Sequence, residues 1–145
     1  ELFFGQGETP GLSHHMTVHG MTSGAGTAFN WPGRININTA DLPVLAALMG
    51  VENQEMAQSL YDYRQEIVAG KDIHDFSRTE WYKNIPGFGD IALDPSLITV
   101  SSDVFRIESE ASVSNIKTIV AAVVQRVQDS ESGKWTCKIL SWQTK

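Results

Sequence analysis

The apolar residues of this chain recur at one period up to about residue 94 and at another from Leu97 onward, and that switch limits the folds open to it. Leu42, Leu45 and Leu48 stand three apart, and Met56, Leu60, Tyr63 and Ile67 follow at four, three and four, the spacing of a buried stripe on each of two helices. In "DVFRIESEASV", Phe105, Ile107, Ala111 and Val113 instead alternate with Arg106, Glu108, Glu110 and Ser112, the period of a strand with one wet face. "IKTIVAAVVQRV" is more continuously apolar and reads as a central strand covered at least in part on both faces. "DSESGK" reads as a turn and "WTCKILSW" as an antiparallel return. Helices first and strands after, with little alternation between them, predict an α+β fold rather than a parallel α/β sheet. The boundary is expected near Asp94, giving an irregular segment 1–33, a helical subdomain 34–94 and an antiparallel sheet subdomain 95–145.

Local signals sharpen this outline. Seven of the twelve glycines fall in residues 1–33, and "MTSGAGTAFNWPG" has the composition of a loop. Within that segment "HMTVHG" alternates Met16 and Val18 against His15, Thr17 and His19, as one short strand would. "RININ" sets Ile35 and Ile37 opposite Asn36 and Asn38, after which Thr39 or Asn38 is expected to cap a helix. Pro43 is tolerated there because the first turn has no intrahelical partners for its amides. Gly50 ends that helix, Asn53 caps the next, and Gly70 closes it. Ser77 with Glu80 three residues on has capping-box spacing for a third, shorter helix, which "NIPGFG" stops.

The arm "GRININTADLPVLAALMG" is how helix-hairpin-helix units that grip DNA begin. Phosphate binding needs hairpin amides and nearby cations. The hairpin "LMGVENQE" has one glycine where a pair is required, and Glu52 and Glu55 flank it. Residues 34–95 carry five cationic side chains against ten carboxylates, and the whole chain has a net charge of −6. A competence-type DNA-binding module on the same scaffold is therefore the alternative reading, and no nucleic-acid partner is expected.

Other residue clusters carry simpler explanations than chemistry. His14, His15 and His19 are metal-ligand types, but a strand sets His15 and His19 roughly 13 Å apart. Asp72, His74, Asp75 and Ser77 are triad types, yet triad members normally converge from distant segments and Ser77 serves better as a cap. Asp129 and Glu131 in the turn, and Asp72 and Asp75, offer oxygens to calcium without the EF-hand pattern. Trp135 and Trp142, seven apart, should face opposite sides of a strand, which makes Trp142 a candidate protein contact. The single Cys137, on the side of Trp135, is expected to be a buried small residue, and it excludes an internal disulfide. No run of eighteen apolar residues occurs, so this stretch is expected to be soluble, while its start at "ELFF" without methionine points to a piece of a longer protein.

Taken in order, "ELFFGQGETPGL", "ININTADLPVLAAL", "SLYDYRQEI", "DFS" and "ITVSSDVFRIESEA" resemble the minor pseudopilin K (general secretion pathway protein K) family of type II secretion systems, over nearly the whole chain. The resemblance implies a helix-hairpin-helix-like (SAM-like) subdomain opened by Asn36, Asn38, Thr39 and Ala40. It implies a pilin-type sheet opened by Thr99, Val100, Ser102, Phe105 and Ile107. It further implies a non-enzymatic subunit at the tip of a periplasmic pseudopilus, assisting export of folded proteins across the outer membrane. The family is held in the inner membrane by an N-terminal helix outside this sequence, and its partners are the I-type and J-type minor pseudopilins. No cofactor is obligatory, although some members bind calcium in the helical part. A sheet separated from such a helix would expose an apolar face, and self-association through the last three strands is expected.

Overall fold

A computed structural model describes residues 5–6, 9–15, 17, 19, 22–23, 29–30, 33–68, 71–72, 74–114 and 116–144. The fold is α+β, with short helices and a three-stranded antiparallel sheet. The chain divides into two compact units, residues 1–17 with 32–101 and residues 18–31 with 102–145.

The first unit has a closed apolar core. Its first helix is Leu42–Met49, preceded by extended Asp41 and ended by Gly50 at φ 73° and ψ 169°, a region open essentially to glycine alone. That helix turns Leu45 and Met49 fully inward, with Leu42 and Leu48 half-buried beside them. The second helix is Ala57–Arg64, entered through a 3₁₀ turn, Gln54–Met56. Leu60 is its deepest residue, and Met56 and Tyr63 pack at the margin. The helix stops earlier than its stripe suggests, because β-branched Ile67 and Val68 take extended backbone and pair with Lys71–Asp72. Gly70 lies outside the described residues.

The third helical segment is a 3₁₀ helix, Thr79–Asn84, without a side-chain cap. Ser77 does not cap it. The Ser77 amide donates to Asp75 Oδ1 at 2.9 Å, so the acidic residue organises the turn instead. Six residues before Pro86 leave little room for α-helical hydrogen bonds, and the tighter helix suits short pieces. Trp81, Tyr82, Ile85 and Phe88 from this segment complete the core around Ile37, Leu45 and Leu60.

This unit runs past the boundary expected at Asp94. Ile98–Thr99 pairs in parallel with Ile35–Asn36: Ile35 N donates to Leu97 O at 2.7 Å and Ile37 N to Thr99 O at 3.0 Å. Residues 95–101 therefore belong with the helices, and the period-two sheet starts after them. In the opening segment, Leu12–His15 is a helical turn, so His15 ends a helix and not a strand; Met16 and Val18 lie outside the described residues.

The second unit contains three long strands in the order last, central, first: Val104–Val113, Ile116–Gln128 and Trp135–Thr144. Both pairings are antiparallel. Asp129 shapes the turn between the central and last strands, accepting from Ser132 N at 2.6 Å and Ser132 Oγ at 2.7 Å, with Gly133 at φ 67°. Among the described residues no helix is long and apolar enough to cross a membrane.

Candidate interaction surface

Register decides what each face of the sheet presents. In an antiparallel pair, directly opposed residues project on the same side. Phe105 opposes Val124, which opposes Ile139; Ile107 opposes Ala122, which opposes Trp142. The same side carries Val113 opposite Ile116, and Trp135 opposite Gln128. The other side carries Arg106, Glu108, Glu110 and Lys117, joined by ion pairs Arg106–Glu108 at 3.1 Å and Lys117–Glu110 at 2.8 Å. The outer strands thus set apolar residues on one side and charged ones on the other, while the central strand is apolar on both, with Ile119, Ala121 and Val123 behind the ion pairs.

The last strand contains an irregularity that changes its pattern. Val123 opposes Ser141 but Val124 opposes Ile139, so Leu140 is an extra residue without an opposite number. This β-bulge shifts the alternation by one. Trp135 and Trp142, seven apart, consequently share the apolar side instead of facing opposite ways. The sequence signal was the adjacency of Ile139 and Leu140, where strict alternation would have placed a polar residue. Cys137 lies on the same side opposite Arg126 and is exposed, contrary to the expectation of burial.

The apolar side has a floor and two walls. Ala122 and Val124 on the central strand are buried, at 7% and 9% exposure. Their flanking residues stand open: Ile107 at 53% and Trp142 at 61% beside Ala122, Phe105 at 42% and Ile139 at 59% beside Val124. Small residues in the middle with large ones on either hand form a trough along the sheet. Its outer strands lie about 10 Å apart, and both walls stand only at the two successive rungs of Ala122 and Val124, about 7 Å along the sheet. Contiguous apolar surface of this kind marks a contact face.

Among the described residues of the three long strands, Arg126 is the one charged side chain on this side. Its guanidinium lies 4.6 Å from the Trp135 ring centroid, and Nη2 donates to Asp103 Oδ1 at 3.1 Å.

The residues expected to open the helical subdomain organise it from inside. Asn36 Oδ1 accepts from Asn38 N at 3.0 Å, and the amides of Thr39 and Ala40 donate to Asn36 O at 3.1 and 2.9 Å, which turns the extended arm toward the helix. Neither Asn38 nor Thr39 is the cap, a position held by Asp41. Asn38 is instead a three-way tie. Its Nδ2 donates to Phe76 O at 3.0 Å and Val100 O at 3.3 Å, while its Oδ1 accepts from Trp81 Nε1 at 2.8 Å. Ser102 is half-buried where the second unit begins, and Phe105 stands on the trough wall.

Arg64, which no sequence signal singled out, closes the same knot. Its Nη1 donates to Ile37 O at 3.0 Å and its Nη2 to Ala40 O, with the guanidinium over the Tyr61 ring. Burial pushes its pKa below the ordinary value, partly opposed by Tyr61 and Asp41.

The other candidates do not converge. His74 Nε2 meets Glu66 Oε2 at 2.7 Å and its ring stacks on Tyr63 at 3.7 Å, while Ser77 and Asp75 are engaged with each other. Among the described residues no three His, Cys, Asp or Glu side chains come together as a metal site. The hairpin at Gly50 exposes Val51, Glu52 and Glu55 and offers no cation. Comparison with protein-family models, curated proteins and solved structures gives no match to this chain.

Proposed function

We propose that this chain is the periplasmic part of a minor pseudopilin K-like subunit of a type II secretion system, acting through shape and surface rather than through catalysis. The order of units supports it: a compact helical unit opened by the "ININTA" arm, then an antiparallel sheet. The observation that carries it is the trough, a buried Ala122–Val124 floor between exposed Ile107, Phe105, Trp142 and Ile139. A single amphipathic helix fits that space, and in a pseudopilin the helix is the one that also anchors the subunit in the inner membrane. The helical unit, SAM-like in this reading, forms the bulky tip of the pseudopilus, and the I-type and J-type subunits are the neighbours.

Mixing the chain, extended by its anchoring helix, with soluble I-type and J-type subunits should give a complex that co-elutes on size exclusion. Ala122→Trp, which fills the trough floor, should prevent it without unfolding the helical unit. Absence of any complex with the unsubstituted protein overturns the proposal. The competence-type DNA module predicts salt-sensitive retardation of duplex DNA at 50 mM salt, which the exposed Glu52 and Glu55 at the hairpin oppose.

A further inference from the structure

We infer that two copies of this chain pair edge to edge through Val104–Val113, antiparallel about a two-fold axis at Ile107, into one continuous six-stranded sheet. Val104–Val113 pairs with the central strand along one edge, and among the described residues its other edge has no partner strand. Every residue of it after Val104 is exposed. Its ladder runs without a bulge, and it contains neither proline nor lysine, devices that commonly blunt an edge. The opposite edge of the sheet differs, because the extra residue Leu140 breaks the repeat of the last strand. The pairing uses an edge, so it is independent of whatever meets the apolar side.

The ladder fixes which main-chain groups are available. Arg126 N donates to Asp103 O, one step beyond the Val104–Gln125 rung, so the odd-numbered residues of the first strand turn their amides and carbonyls to the central strand. Those of Val104, Arg106, Glu108 and Glu110 point out of the edge. With Ile107 opposite its own equivalent, Arg106 meets Glu108 of the second copy and Val104 meets Glu110, for about eight main-chain hydrogen bonds. Charge selects this alignment from its neighbours. Here each Arg106 faces a Glu108 across the axis, and the four groups alternate in sign. Sliding by one repeat opposes either Arg106 to Arg106 or Glu108 to Glu108, and a further slide opposes Glu108 to Glu110. The Arg106–Glu108 contact within one strand uses one nitrogen and one oxygen and leaves the side chains 68% and 53% exposed, so both retain capacity for the second copy.

Sedimentation equilibrium of the whole chain should show a reversible dimer. Arg106→Glu and Glu108→Arg, both at exposed positions, should each weaken it about tenfold, because each makes two attractive rungs repulsive. Mixed in equal amounts, the two variants should recover the dimer, since every pair across the axis is again of opposite sign. Raising salt should narrow these differences. On a Cys137→Ser background, Ile107→Cys should give a disulfide-linked dimer with oxidised glutathione, because the two Cα atoms lie about 4.5 Å apart at a rung without hydrogen bonds. Ser109→Cys, which faces Phe105 and stands about 13 Å from its equivalent, should not. A strictly monomeric chain overturns the inference, and so does a mixture of the two charge variants no more associated than either alone. A dimer that both charge reversals leave intact also overturns it and assigns self-association to the apolar side.

Discussion

The two units use apolar side chains in opposite ways. In the helical unit Ile37, Leu45, Leu60 and Phe88 reach 0% exposure and face one another. In the sheet unit Phe105, Ile107, Ile116, Ile139 and Trp142 leave 42% to 73% of their surface open, on one side of three strands. The first unit closes its own core. The second leaves the apolar side of its sheet largely open.

Substitutions that delete apolar volume should therefore separate the units, and the largest effect belongs to the closed core. Leu60→Ala should lower stability by about 2–5 kcal/mol, because it removes transfer free energy and leaves a cavity. Ile107→Ala on the trough wall should lie within about 1 kcal/mol, since most of that side chain already meets water. Urea unfolding of both variants checks the contrast, and equal losses would break it.

Next in size is the knot that holds the helical unit to its entering arm. Asn38→Ala removes partners from Phe76 O, Val100 O and Trp81 Nε1 together, and should lower stability by about 2–3 kcal/mol. Asn38→Asp, which lacks the donor for the two carbonyls, should be no better. At Gly50 an added Cβ meets nothing within 4 Å, so Gly50→Ala isolates the backbone. A cost of about 1–2 kcal/mol is expected from the conformation alone.

The smallest effect is electrostatic and sits in the sheet unit. Hydrogen bonds from Ser132, then from Glu131 N, hold the Asp129 carboxyl below its ordinary value of 3.8. A depressed folded value stabilises the folded state above the unfolded pKa, and that contribution is lost as pH falls through the folded value. Ser132→Ala should move Asp129 back toward 3.8, followed by carboxyl NMR titration. The Ser132 amide, the larger cause, is kept by alanine, so an unmoved titration would mean that the Ser132 hydroxyl adds nothing to it.

How far these features were readable depends on whether their cause is local. The α+β order, the strand at Val104–Val113 and the Asp129–Lys134 turn follow from nearest-neighbour pattern and appear where the pattern sets them, although that strand is exposed on both faces rather than wet on one and covered on the other. The helix ends were less readable. Ile67 fits the helical stripe by spacing, yet its neighbour Val68 makes extended pairing with Lys71–Asp72 the better local solution. Asn38 looked like a cap because caps are read from sequence, while its partners lie 38 and more residues away and no local rule reports them. The shared side of Trp135 and Trp142 depended on one extra residue, Leu140, and a single bulge reverses every assignment beyond it. Arg64 was missed for the same reason as Asn38: its acceptors are main-chain carbonyls of the arm, which carry no sequence mark.

The account turns on whether the trough is an uncovered contact face. Sedimentation velocity of this chain over a hundredfold range of concentration asks that directly. The prediction is reversible self-association that strengthens with concentration, and its suppression by Ile107→Glu with Trp142→Glu, which charge both walls without touching the helical core. A chain that sediments as a strict monomer at the highest concentration would contradict it, because an apolar face of this size would then have no demand for a cover.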